Sequence, residues 1–516
     1  MTAIQRLLAM LERAREWPTD TERRVREDIV TFAAFRESNE RVLRRLANWP
    51  AARPYVIDNL PERVSGAYAD LLFGEDPRVT AASPDDQDQL AAMLGDTPAA
   101  LWAAEDTNVS EGEIWWRLCV DRLASLHPIV TFHSRADVVP LLVGRECPAV
   151  AFVSVLGAPT GSDGDRVADA ENPSRPCWRH LEIHADGVIE NHLYRGTWTK
   201  LGDSVALTLH PEVADLPEAW AHGLPMVAGR IVNRWGRRPT VGISEYAGVW
   251  TRFLVLNEAV TIGRENLRLT AKKRAIVPGS AVRSSPGGGL GPGVPTANGP
   301  DDAARGSRPQ FDAGEDVLVH DPLDTDDSGG NGPFKVLEYS FDAAALIAYM
   351  EHEADKILTR CNIVPQFVGN GDFGIGASGT ALRVRLLPTV NAAQGKARPW
   401  DRDLPRIFEL AQRLDAMPQA QGGLGGRWAS TEAPTVVRTE PLPEDPNEVA
   451  QRHATLKTAD LISIERSIRD RNPTWEDDKV TAELAAIRAD QASTMPLASP
   501  FGPPPGGPPA DQGSST

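Results

Sequence analysis

The sequence is poor in the residues and patterns that usually announce chemistry. Four cysteines, Cys119, Cys147, Cys177 and Cys361, lie far apart with no CxxC pair, which argues against a zinc site and for free thiols in a reducing compartment. No run of about eighteen apolar residues occurs, so no transmembrane helix and no membrane partner are expected. The opening MTAIQRLLAMLERAREW reads as a charged amphipathic helix without a signal-peptide cleavage site, so a cytosolic protein is expected. No phosphate loop of the G-x-x-x-x-G-K-[ST] type occurs, so a motor ATPase is not expected, and no G-x-S-x-G elbow and no H-E-x-x-H motif is present. Lysine is scarce, 8 of 54 basic residues, and the accompanying wealth of Ala, Gly and Pro resembles the product of a GC-rich genome, which carries no chemistry. Net charge is −17, opposite to the basic face with which proteins grip nucleic acid through its phosphates. Any DNA this chain meets it must meet loosely, or through a local basic surface.

At 516 residues, 41% hydrophobic and 24% charged, the chain has room for two to four domains with real cores. Residues 19–49 read as one long amphipathic helix, and DNLPERVSGAYADLLFGEDP as a second, with Pro61 in its first turn and Gly74 and Pro77 stopping it. Further helical segments, including Trp115 and Trp116, are expected over 83–123. The period then shortens: 127–133, 149–156, 178–184, 188–195 and 205–209 are β-like runs, with Ala185-Asp186-Gly187 a hairpin signal. The fold class is α+β, with a mostly antiparallel sheet following helices.

Helical spacing returns over 244–273, where Phe253, Leu256, Val260 and Leu267 share one side. Residues 279–310 are low-complexity and expected to be mobile. Strands are expected at 316–320 and 334–339, flanking an acidic turn. The stretch around which the chain is organised follows, Phe341 to Asp415. Its first helix carries Leu346, Met350, Ala354, Ile357 and Cys361 as an apolar stripe; Pro365 and a run of glycines then break it. Helix resumes near Ser378, a plausible N-cap, is interrupted at Pro388, and recovers at Asp403. Gly374, Gly376 and Gly379 spell G-x-G-x-x-G, but no apolar strand precedes them and no βαβ unit follows, so a hinge between helices is the better reading and no cofactor is expected. The Gly/Gln segment QAQGGLGG reads as a linker to a strand-like VVRTEPLP and a cluster of helices over 446–490. Residues 491–516 are expected to be disordered.

His180, Glu182 and His184 would share one face of a strand, within reach of a common metal, although histidines at a sheet surface are the commoner outcome and no metal is expected. Asp321, Asp324, Asp326 and Asp327 do not fit a calcium loop and read as a solvated turn. The tryptophans at 115, 116, 178, 198, 220, 235 and 250 suit packing more often than base stacking. Between Gly376 and Asp415, the bases Arg383, Arg385, Lys396, Arg398, Arg402, Arg406 and Arg413 face four acids. That leaves a local excess of three positive charges in an acidic chain, with Arg383 and Arg385 beside the flexible break.

In this order, NLPERVSGAYADLLFGEDP, the helix from Tyr246 to Lys273 leading into an insert, the return helix ending in CNIVPQFVG, GASGTALRVRLLPTV, and LPEDPNEVAQRHATLKTADLISIERSIRD make the chain resemble the portal proteins of tailed bacteriophages of the long-tailed type. The resemblance spans roughly residues 59–490. It implies a portal fold with a wing (1–244), a two-helix stem (245–273 and 341–361), a small α/β clip (274–340, with the loop 279–310), a tunnel loop and kinked helix (362–424), a helical crown (425–490) and a tail (491–516). It further implies a homo-oligomeric ring, twelve copies expected, at one capsid vertex of the virion, assembled in the host cytoplasm. Double-stranded DNA would pass through its channel during packaging and ejection. Its other partners would be the terminase large subunit, the head–tail connector or adaptor, the major capsid protein and the scaffolding protein. Gly374, Gly376, Ser378, Arg383 and Arg385 would lie at the tunnel; Phe253, Leu256, Val260, Leu267, Leu346, Met350 and Ile357 would build the stem; no residue would be catalytic. The alternatives are a virion structural protein without a channel and a nucleotide-binding enzyme using the glycines at 374–379.

Overall fold

Residues 113–119, EIWWRLC, form a strand rather than part of a helical segment, and a strand sends neighbouring side chains to opposite faces. Trp115 therefore enters a small core with Val138, Val150, Phe152 and Ala228, while Trp116 joins the main helical core. The computed structural model describes residues 2–13, 17, 19–51, 53–122, 124–157, 176–236, 241–271, 274–278, 282–283, 311–312, 317–320, 335–337, 341–368, 379–438, 446–459, 461–471 and 477–494.

The chain begins with α1 (Ala3–Arg13), α2 (Asp20–Arg36), α3 (Glu40–Leu46), α4 (Leu60–Phe73), β1 (Arg78–Thr80), α5 (Gln87–Leu94) and α6 (Thr97–Glu111). Strands follow: β2 (Glu113–Cys119), β3 (Ile129–Ser134), β4 (Val138–Val143), β5 (Glu146–Leu156), β6 (Pro176–Ala185), β7 (Val188–Thr197), β8 (Lys200–Val205), β9 (Ala219–Ala221) and β10 (Ala228–Val232). Then come α7 (Trp250–Ala271), β11 (Arg274–Pro278), β12 (Val282–Arg283), β13 (Phe311–Asp312), β14 (Val317–His320), β15 (Lys335–Leu337), α8 (Ala343–Arg360), α9 (Gly379–Ala416) and β16 (Thr435–Val437). A second unit starts at Leu442 and holds α10 (Pro446–Thr458), α11 (Ile464–Arg471) and α12 (Asp477–Thr494). Within it, α11 packs on α12, and Ser463 Oγ caps α11 by accepting the Arg466 N–H at 3.1 Å.

The fold is α+β with antiparallel main sheets. The larger, in the order β4-β5-β6-β7-β8 with β9 also on β7, buries one face under α1, whose Ile4, Leu7 and Leu11 meet Ala149, Ala151, Leu181 and Ile183. Its other face meets the three-stranded sheet β10-β2-β3 through Phe152, Val150 and Trp115. The far side of that smaller sheet supplies Ile114, Trp116 and Leu118 to the main core, shared with α2, α4, α6, α7, α8 and α9. Asp186 and Gly187 turn β6 into β7 as expected, Gly187 taking φ +77°.

Several expectations are corrected. The helix expected over 19–49 is two helices, because the chain turns at Ser38 (φ +51°) and Asn39 Oδ1 accepts the Val42 N–H to start α3. Strands β4 and β10 were not expected, and residues 207–209 form a 3-10 turn after β8. Pro388 does not interrupt α9. Pro388, Pro399 and Pro405 all lie inside it, while Val390, Ala393, Ala397, Trp400, Leu404, Ile407, Ala411 and Leu414 form an unbroken buried stripe. Burial of that stripe outweighs the hydrogen bonds the prolines remove. The segment QAQGGLGG is no free linker: Arg122 donates to the Gln419 and Gly423 carbonyls, Trp220 to that of Gln421, and Gly426 N–H to that of Asp415. Beyond it β16 pairs with β1, so residues 425–438 belong to the first unit rather than to the terminal helices. The strands expected at 316–320 and 334–339 are present as β14 and β15, and both pair with β11, which lies between them. Apart from Val282–Arg283, the low-complexity stretch 279–310 lies outside the described residues, as do the acidic turn at 321–327 and residues 495–516.

Because the two adjacent rings fill separate cores, Trp115→Ala and Trp116→Ala should each cost about 3–5 kcal/mol, read from urea unfolding. Trp102→Ala, at a ring 38% exposed that donates to Asp70, should cost about 1 kcal/mol or less in the same assay.

Candidate functional site

Helices α7 and α8 run antiparallel and touch from the base of α7 as far as Gly263. Gly248, just before α7, lies beside Arg360; Arg252 Nη1 donates to Glu353 Oε2 at 2.6 Å; and Gly263 meets Leu346. A Cβ on Gly263 would sit 2.6 Å from Leu346 Cδ2, so the absence of one lets the backbones close. The base of α7 is fixed by apolar and polar contacts. Phe253 packs on Phe35 and Tyr246, each at 5.3 Å between ring centres; Asn257 Oδ1 accepts the Asp58 N–H at 2.8 Å, and Thr261 Oγ1 that of Val56 at 2.9 Å.

Of the expected stem residues, Phe253, Leu256 and Ile357 are buried in the main core, and Val260, Leu346 and Met350 are half-buried. Leu267 is 58% exposed: it lies on the α8-facing side of α7, but the register runs past Ala343, where α8 begins. On a flank of α7, Val255 and Ile262 are exposed one heptad apart, and Ile347 and Tyr349, two residues apart on α8, are exposed as well. The seven-residue repeat of Val255 and Ile262 was legible in the sequence but overlooked beside the stronger stripe.

The expected hinge residues Gly374, Gly376 and Ser378 lie outside the described residues, and the side chain of Arg383 is not described. The chain entering that segment is held by Arg63, which donates to the Val368 carbonyl at 3.2 Å, and by Thr389 Oγ1, which accepts the Val364 N–H at 2.8 Å. Beyond it, the first described turns of α9 expose Val384, Arg385 and Leu387.

From Thr389 onward α9 is anchored. Lys396 is no surface base: its Nζ donates to Glu245 Oε1 at 2.6 Å and to Asn233 Oδ1 at 2.5 Å, 4.5 Å from the Tyr68 ring centre. Tyr68 O–H in turn donates to the Cys361 carbonyl at 2.5 Å, where α8 ends. One turn further, Trp400 Nε1–H donates to Glu105 Oε2 at 2.6 Å, and Asn108 donates to the same oxygen. Burial pushes Glu105 up from the ordinary 4.5 to about 7, and its other oxygen has no hydrogen-bond partner among the described residues. Arg402 pairs with Asp403, and Arg413 with Glu409. Arg385, Arg398 and Arg406 show no ion pair among the described residues.

His180, Glu182 and His184 do lie together on β6, facing the smaller sheet. Several of their ligand atoms are engaged: His180 Nε2 meets Asn191 Oδ1 at 2.9 Å, and Glu182 takes both His184 Nε2, at 2.7 Å, and Arg117, while His184 Nδ1 is buried without a hydrogen-bond partner among the described residues. Hydrogen bonding and charge from His184, then Arg117, outweigh the desolvation of Glu182 and hold it down at about 2. No metal-binding cluster occurs among the described residues, and none of their helices is long and apolar enough to cross a membrane. The residues before the glycine run are helix and 3-10 turn, not the strand a dinucleotide fingerprint needs. No protein-family description matches the chain, and no curated protein matches it.

Lys396→Ala leaves buried Glu245 with only the half-exposed Arg234 at 4.0 Å and should destabilise the first unit by about 3–5 kcal/mol; Lys396→Met with Glu245→Leu should recover most of that loss, both read from urea midpoints. Glu105 keeps in the folded chain a proton that the unfolded chain sheds above 4.5, so its stabilising share falls as pH rises from 4.5 to about 7. Relative to the unsubstituted chain, Glu105→Gln should therefore gain on the order of 3 kcal/mol of stability across that window; parallel pH profiles would contradict the assignment.

Proposed function

We propose that this chain is the subunit of a ring of the tailed-phage portal type, set at one capsid vertex, with a central channel for double-stranded DNA. The terminase motor and later the head–tail connector would dock on it. The observation that carries the reading is the α7–α8 pair. It runs out from a shared core to a strand-bearing excursion and back, and it keeps apolar side chains, Val255, Ile262, Ile347 and Tyr349, on flanks the chain itself does not cover. A ring stave needs such an arrangement, because one flank serves its own subunit and the others must meet neighbours. Two further features support it. The chain is acidic overall, which suits DNA that must slide, since each neutralised phosphate tightens the grip through counterion release. The start of α9, with Arg385 exposed, follows the glycine-rich stretch where a valve would move.

Sedimentation of the purified chain tests the assembly. The unsubstituted protein should run as one discrete large oligomer, and Val255→Asp with Ile262→Asp should reduce it to monomer with an unchanged far-UV CD spectrum. A monomer at high concentration without substitution would overturn the reading. For the valve, Gly374→Leu with Gly376→Leu should lower packaged or retained DNA in virions while rings still form; wild-type DNA content would count against it.

A further inference from the structure

A cavity of about 740 Å³ opens between the β4–β5 turn, strand β10 and the middle of α9, in the size range of ligand pockets. Four arginines from three elements line it: Arg145 in the turn, Arg230 on β10, and Arg402 and Arg406 one helical turn apart on α9. Two are committed. Arg230 reaches Glu113 at 3.6 Å and donates to the Arg145 carbonyl at 2.9 Å, and Arg402 pairs with Asp403 at 2.7 Å. The other two have no ion pair among the described residues: Arg406 is exposed, and the exposed Arg145 lies over the Trp235 ring, 5.2 Å from its centre. Two guanidiniums brought to one cavity from different elements, without a carboxylate of their own, in a chain of charge −17, are a site for an anion supplied from outside.

The rest of the lining indicates which anion. Glu146 and Asp186 stand among the arginines and would repel the closely and evenly spaced charges of a phosphodiester chain more than the separated carboxylates of a peptide. Pro148, Met226 and Trp235 add apolar surface that a phosphate backbone cannot use. A peptide that alternates carboxylates with apolar side chains matches both. We propose that this cavity docks an extended acidic peptide segment of another protein, one carboxylate to Arg145, another to Arg406, and an apolar side chain between them. The cavity belongs to a single chain and does not depend on ring formation.

Fluorescence anisotropy with the full chain and a labelled peptide of repeating Glu-Leu-Gly units, at low ionic strength, tests this. The peptide should bind, a Lys-Leu-Gly counterpart should not, and Arg145→Glu and Arg406→Glu should each weaken binding at least about tenfold. Arg145→Lys and Arg406→Lys keep the charge without the fork and should weaken it less, which separates recognition from misfolding. Absence of peptide binding, or binding indifferent to both charge reversals, would overturn the proposal. So would tighter binding of labelled oligothymidylate that the same reversals abolish, since the site would then take a phosphodiester.

Discussion

Burying a lysine requires a full set of partners, and the first unit is arranged around the one place among the described residues where that happens. Lys396 sits in the middle of α9. Glu245 precedes the start of α7, Asn233 follows the end of β10, and Tyr68 on α4 faces the ammonium while its hydroxyl holds the end of α8. A single cation thus ties together a sheet, both members of the helix pair and the longest of the described helices. Such an arrangement is weak evidence of net stability, because desolvating the charges offsets much of their attraction. Its strength is geometric: any slide of α9 along its axis strands a buried charge. The helix pair is fixed at its base by that constraint, while its outer end and the start of α9 are free of it.

That distribution of anchoring suits an assembly whose moving parts are local. The two sheets, α1 and the helical core form a packed block in which Trp115 and Trp116 lock successive layers. Out of it extend α7 and α8, closed on each other at Gly263 and carrying uncovered apolar residues. The first turns of α9 extend from it as well, and with them the charge changes sign locally: Arg385, Arg398 and Arg406, which show no ion pair among the described residues, lie on its exposed side.

Much of this was legible in the sequence, for reasons that also explain what was not. The stripes of α7 and α8, the proline-started α4 and the Asp186-Gly187 hairpin are local signals of period and turn chemistry, and local signals survive in any context. The strand β2 was missed because both its faces are buried, so EIWWRLC shows no alternation. The continuity of α9 was missed because its prolines are conspicuous, whereas the small Ala393 and Ala397 that carry its stripe are not. Lys396 is indistinguishable from its basic neighbours in sequence: its partners lie 163 and 151 residues away, and nothing nearby announces them. The apparent linker QAQGGLGG illustrates the same limit, since glycine marks a free chain and a tightly docked turn alike. The hinge glycines were read from composition, and their place in the fold lies outside the described residues.

The central claim is that the α7–α8 pair is a stave of a closed wall rather than an outgrowth of a lone globule. Electron micrographs of the purified full chain in negative stain test it most directly. The account predicts particles of one size, with rotational symmetry and a stain-filled central hole in end-on views; separate compact particles without a hole, or open filaments of unlimited length, would contradict it.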